Sequence, residues 1–165
     1  MSPLSRHWTL DDLIKTSHPP NIVTGVVRYG VPLTTDVILA NLQRLAETLL
    51  DPLFDYWGWQ VSSCYRSPAV NAIVGGSNNS AHTAGLACDG GPSQGRGGFA
   101  DVIRWFDKSS MPFDRLIFEA RSGGHRWLHV QAPRAGDEPL RLFFSSPKPD
   151  TYLRMTADVL AGVAG

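Results

Sequence analysis

Among the five histidines of the chain, His7, His18, His82, His125 and His129, two stand where they can share one task with a carboxylate. His82 and Asp89 lie seven residues apart across SAHTAGLACD, and His129 sits in the strand-like WLHVQ. Two imidazoles and one carboxylate form a borderline-hard donor set that suits Zn2+, and three protein ligands leave a fourth position for water. The two cysteines, Cys64 and Cys88, are too few for a disulfide framework and are not spaced as a zinc ribbon requires.

The elements that must hold these residues follow from local pattern. Thr9 precedes LDDLIK and caps a short helix, with Asp12 placed to reach back to it. A loop over residues 18–32 follows. Thr34 or Thr35 then caps a longer helix whose apolar residues Ile38, Leu42, Leu45 and Leu49 recur at three- and four-residue steps, and Pro52 marks its end. Strands are expected over 59–65, 86–89, 113–119, 126–131 and 140–144, the last two as a hairpin around APRAGDEP. Ser67-Pro68 opens a short helix that Gly75-Gly76 closes, residues 99–106 form another helix, and the tail from 150 onward is helical. Helices first and strands later predict an α+β fold with a central antiparallel sheet flanked by helices. Strand alternation turns Cys88 away from Asp89 and the metal, and puts Cys64 on the site side with Arg66, so that no disulfide joins the two.

With 165 residues the chain is expected to be a single domain, its core over about 8–145 and its tail over 146–165. The charges balance at 15 Lys+Arg and 15 Asp+Glu, without basic runs, which disfavours a nucleic-acid or anionic-lipid partner. No apolar run approaches the ~18 residues of a membrane span, so no membrane insertion is expected. The N-terminus lacks the apolar core of a secretory signal, which predicts synthesis as a cytoplasmic protein without a signal peptide.

A longer string of residues carries a resemblance. Tyr65-Arg66-Ser67-Pro68, Asn71, Val74-Gly75-Gly76, then Ser80, His82, Gly85, Ala87 and Asp89, and finally Trp127-Leu128-His129, stand in the order YRSP, N…VGG, S-x-H-x-x-G-x-A-x-D and W-x-H. This pattern resembles the zinc peptidases of bacterial cell-wall peptides, the D-Ala-D-Ala carboxypeptidases, D-Ala-D-Ala dipeptidases and L-Ala-D-Glu endolysins, which share the hedgehog/DD-peptidase fold. The likeness spans about residues 8–131.

The resemblance implies that His82, Asp89 and His129 hold a zinc ion. Gly85 would allow a tight turn where a side chain would crowd the metal, or would be an ordinary turn glycine. Arg66 would pair with a substrate carboxylate or polarise the scissile carbonyl, its alternative being a surface arginine. Ser80 would bind substrate or cap a turn, and Trp127 would stand beside the metal. The proton-transferring base is Glu119, by the similarity of FDRLIFE to a DQLIxE pattern; His125 is the second candidate and Asp114 the third. Three residues before His129, where the dipeptidases carry a glutamate, this chain has Arg126.

The function implied is a zinc-dependent metallopeptidase that cuts a peptide bond in peptidoglycan stem peptides or crosslinks. It would act at the cell wall or periplasm as a phage endolysin or virion-associated hydrolase, with virion or tail proteins as candidate partners. The rival is a non-catalytic virion or tail domain that keeps the fold as a scaffold or wall-binding module. Which bond is cut is left open between L-Ala-D-Glu, D-Ala-D-Ala and D-Ala-diaminopimelate.

Overall fold

The computed structural model describes residues 3–165. Helix α1 (Leu10–Ile14) opens as its first residues imply: the Thr9 hydroxyl accepts from the Asp12 amide, and the Asp12 carboxylate accepts from the Thr9 amide at 2.8 Å. Helix α2 (Thr35–Leu45) is capped by Thr34, and Ile38, Leu42 and Leu45 on its inner stripe are fully buried. Pro52 does not end this helical run. A π-helical turn, Ala46–Leu50, carries the axis on into α3 (Asp51–Trp57), with Pro52 in the first turn of α3, where proline is best tolerated. The stop comes at Gly58, in the left-handed conformation at φ 57°, with its amide donating to the Phe54 carbonyl.

The segment 18–32, expected as loop, contains a small hairpin of β1 (Val26–Arg28) and β2 (Val31–Leu33). Tyr29 and Gly30 both have positive φ, the geometry of a tight two-residue hairpin turn.

The main sheet has six strands: β3 (Gln60–Ser63), β4 (Ala87–Gly91), β5 (Arg115–Ala120), β6 (Arg126–Gln131), β7 (Leu142–Ser146) and β8 (Leu153–Met155). Their order is β3-β4-β6-β5-β7-β8. The expected hairpin between β6 and β7 does not form. Strand β6 is flanked on one edge by β4 and on the other by β5, so β7 has no edge of β6 to join and pairs with β5 instead, in parallel. The sheet is therefore mixed rather than wholly antiparallel, and the class remains α+β. The tail, expected as helix, first adds strand β8 to the sheet before forming α6 (Ala157–Ala164), capped by Thr156. Helices α4 (Pro68–Ile73) and α5 (Phe99–Lys108) complete the chain, and among the described residues no helix is long and apolar enough to cross a membrane.

Alternation along the strands divides the sheet into two faces. Cys88, Leu116, Phe118, Leu128 and Val130 point into the core, where they meet Leu42, Leu45, Ile103 and Phe106 from the helices. The alternate residues, Asp89, Ile117, Glu119, Trp127 and His129, line an open cleft on the other face. One face holds the molecule together and the other is free to carry polar groups.

Cys64 departs from the expected side. The pairing of β3 with β4 slips between Val61 and Ser63, so that one extra residue, Ser62, inverts the alternation, and the Cys64 side chain enters the core beside Cys88. Both thiols are free, and burial with the neighbouring Cys64 raises the Cys88 pKa well above its ordinary value.

Candidate metal centre

His82 stands in a short 3-10 turn, Ala81–Ala84, and its own amide donates to the hydroxyl of the capping Ser80. Gly85 ends the turn at φ 68°, a left-handed value that favours glycine. A Cβ at this position would lie 2.8 Å from the Ile38 carbonyl oxygen and 2.9 Å from the Leu42 side chain. It is helix α2, not the metal position, that a side chain here would crowd. The chain then enters β4, which presents Asp89 directly opposite His129 of β6. Register alone thus brings together two residues 40 positions apart.

The three donor atoms converge closely. His129 Nδ1 is 2.9 Å from Asp89 Oδ1, His82 Nε2 is 3.2 Å from the same oxygen, and His82 Nε2 is 3.2 Å from His129 Nδ1. A tetrahedral ion with bonds of about 2.0–2.1 Å to its ligands has edges of about 3.3 Å between donors. The triangle is within a few tenths of an ångström of that size, and His82, Asp89 and His129 fit a metal ion as one face of its coordination shell. The outer contacts orient the donors. His82 Nδ1 is 2.6 Å from the Cys64 carbonyl, which can only accept, so the ring carries its proton there and turns the Nε2 lone pair to the site. Asp89 keeps Oδ1 toward the imidazoles while Oδ2 accepts from Arg66 Nη2 at 2.6 Å; Arg66 Nε in turn donates to the Ser63 hydroxyl.

Electrostatics match the donor roles. Burial pushes the His82 pKa down, outweighing the attraction of Asp89, so the ring is held neutral with its lone pair available. Burial alone would raise the Asp89 pKa, but the adjoining His82 and His129 rings, both within hydrogen-bond reach, outweigh it and keep the carboxylate ionised. Glu119 shows the reverse balance. Burial and repulsion from Asp89 raise its pKa, against the opposing pull of His129 and Arg121. Its carboxylate is held by Arg121, which also donates to the Ser146 carbonyl.

The structure gathers most of the residues singled out from the sequence. Arg66, Ser80, His82, Asp89, Glu119, Trp127 and His129 all line one cleft of about 640 Å3. Trp127 stands opposite Glu119 in the β5–β6 register. His125 lies exposed in the turn before β6 and does not line the cleft, and Asp114 lies outside it, its carboxylate accepting from the Leu140 amide. His7 is elsewhere, paired with Asp55 at 2.7 Å. Sequence reasoning passed over Ser63, Arg121 and Tyr152, which also line the cleft. Arg121 was within reach of pattern, since it follows Glu119 by two residues; Tyr152 arrives from the tail and has no local signal.

A sheet floor bearing a buried His-Asp-His donor set and an acid of raised pKa defines a candidate metal-dependent hydrolase. The Peptidase M15 family model matches residues 8–130, which include all three donors, and the chain belongs to that family. It is accordingly a metallopeptidase, with His82, Asp89 and His129 as the group suited to the metal. No curated protein matches the chain.

Proposed function

We propose that the protein is a zinc-dependent peptidase that hydrolyses a peptide bond in the stem peptides or crosslinks of bacterial peptidoglycan, acting at the cell wall or periplasm in the manner of a phage endolysin or virion-associated hydrolase. The observation that carries this reading is the convergence of His82, Asp89 and His129 to 3.2 Å or less on the cleft floor, with Glu119 on the same face of the sheet. The YRSP and W-x-H elements supply the link to wall peptides. The cleft volume is of the size that accommodates a short peptide.

When bound, zinc supplies Lewis acidity to the scissile carbonyl and to the attacking water. His82 and His129 contribute neutral nitrogen lone pairs and Asp89 one oxygen. Glu119 takes the proton from water at its carboxylate and hands it to the departing amine. Its raised pKa suits both halves of that task, because an acid nearer to neutrality accepts and releases a proton with less cost. Arg121 holds the Glu119 carboxylate in place. Arg66 has guanidinium donors beyond those spent on Asp89 and Ser63, and these stabilise charge on the carbonyl oxygen. Trp127 and Ser80 form walls against which the peptide rests.

Metal analysis of purified protein, combined with mass spectrometry of muropeptides after digestion of sacculi, tests the proposal. Zinc near one equivalent and a single new class of cleaved stem are expected, both lost in His82→Ala. New products from a metal-free His82→Ala protein, or none from the zinc-loaded wild type, would overturn it.

A further inference from the structure

We infer that Arg28 and Arg115 form a carboxylate-binding subsite at the end of the cleft opposite Glu119, where they recognise an acidic residue of the peptide close to the scissile bond. This rests on the peptidase reading above and adds a substrate requirement to it. Along β5, Arg115, Ile117 and Glu119 share a face. Ile117 stands opposite His129 and marks the level of the donor set; Arg115, opposite Gln131, lies two residues to one side, and Glu119 two residues to the other. Each step of two residues is roughly 6.6–6.8 Å. Arg115 is thus about two residues of extended peptide from the level of the donor set, and its own side chain spans part of that distance.

Arg28 approaches the same place from the β1–β2 hairpin. Its Nε donates to the Asn79 carbonyl at 2.9 Å, which fixes the stem and leaves the terminal nitrogens unspent. Both arginines line the metal cleft and also a second cavity of about 760 Å3, so the groove continues past them. Among the described residues the other arginines of these two cavities have acidic partners: Arg66 with Asp89, Arg121 with Glu119, and Arg134 with Asp137. Among the same described residues Arg28 and Arg115 have no acidic partner within ion-pair distance. Arg28 is half-buried, and burial together with repulsion from Arg134 and Arg115 disfavours its charge, only partly offset by Tyr29 and Asp114. Two guanidiniums that repel each other, with Asp114 attracting Arg28 but not in contact with it, are stabilised by an incoming carboxylate, which their planar forks are shaped to bind. Stem peptides carry such carboxylates on D-Glu and diaminopimelate.

The test uses zinc-loaded Glu119→Gln protein, to measure binding without turnover. The probes are the pentapeptide stem L-Ala-γ-D-Glu-diaminopimelate-D-Ala-D-Ala and the same peptide with its D-Glu and diaminopimelate carboxylates amidated. Calorimetry should give about tenfold tighter binding of the free acid, the scale of one charge-assisted contact. Adding Arg115→Gln or Arg28→Gln should bring the ratio toward one, with folding checked by circular dichroism; Arg115 is exposed and makes no hydrogen bond that its loss would break. Equal binding of both peptides, no binding of either, or a ratio unchanged by Arg115→Gln would overturn the inference. The two readings fail separately. Cleavage of both peptides without charge preference removes the subsite and keeps the peptidase, whereas charge-selective binding without cleavage by the wild type does the opposite.

Discussion

Arg66 Nη2 lies 2.6 Å from Asp89 Oδ2, while the other oxygen of the same carboxylate faces both imidazoles. The arginine therefore decides which Asp89 oxygen is offered to a metal. Arg66→Ala should weaken zinc binding by about tenfold to a hundredfold, the usual effect of removing an outer partner of a ligand. Competition with a chromophoric chelator measures it, and an unchanged affinity would assign Arg66 to substrate alone.

Glu119 lines the same cleft but is not among the three converging donors. Glu119→Gln should keep zinc at the wild-type level and lower kcat by about two to four orders of magnitude, the range of a lost general base. Zinc content and turnover are read on the same preparation. Loss of both together would mean that Glu119 maintains the metal site instead of moving protons.

The pH dependence follows from the environment of Glu119. Burial and Asp89 raise its pKa, and the base works only when deprotonated, so the acid limb of kcat/KM should have its midpoint above the ~4.3 of an ordinary glutamate. Arg121 opposes that rise by favouring the carboxylate. Arg121→Met removes a positive charge, so the carboxylate is disfavoured further and the limb should move to higher pH. Arg121→Lys should leave it nearer the wild-type position. A limb that moves to lower pH in Arg121→Met would contradict the assignment.

Two glycines of similar φ separate strain from crowding. Gly85 at 68° faces the Ile38 carbonyl and Leu42, whereas Gly75 at 71° has nothing within 4 Å of the place a Cβ would take. Gly75→Ala should cost about 1 kcal/mol of backbone strain. Gly85→Ala adds a clash with α2 and should cost about 2–4 kcal/mol, measured by urea unfolding. Equal losses would show that the turn relaxes away from α2.

Zinc should also act as a folding ligand. At a free concentration about a hundred times its Kd, it should stabilise the wild type by ~2.7 kcal/mol. Asp89→Asn, which offers a neutral amide oxygen in place of a charged one, should reduce this gain, as thermal melts with and without metal would record.

Much of the fold was legible because the interactions that set it are short-range. Thr9, Thr34 and Ser67-Pro68 cap their helices from within one turn, and β6 appears over the residues its alternation marks. The run from Tyr65 to Asp89, with Trp127 and His129, sufficed to point to the family and to a donor set, since ligand chemistry depends on residue type and order. Helix continuation past Pro52 was not legible, because a π turn makes room for a proline that an α-helical interior would reject.

Tertiary structure decided the rest. Which edge of the sheet β7 could use depended on β4 and β5 already flanking β6. One extra residue in β3 sent Cys64 to the core, and the partner of Gly85 turned out to be a helix more than 40 residues upstream. His125 adjoins Trp127 and His129 in the chain yet lies outside the cleft, while Arg66, Arg121 and Tyr152 arrive at it from three separate connecting segments. Caps and alternation are energies of neighbouring residues and can be read along the chain; strand order, bulges and the pairing of distant charges depend on which surfaces remain free once the core has closed, and only the folded molecule expresses them.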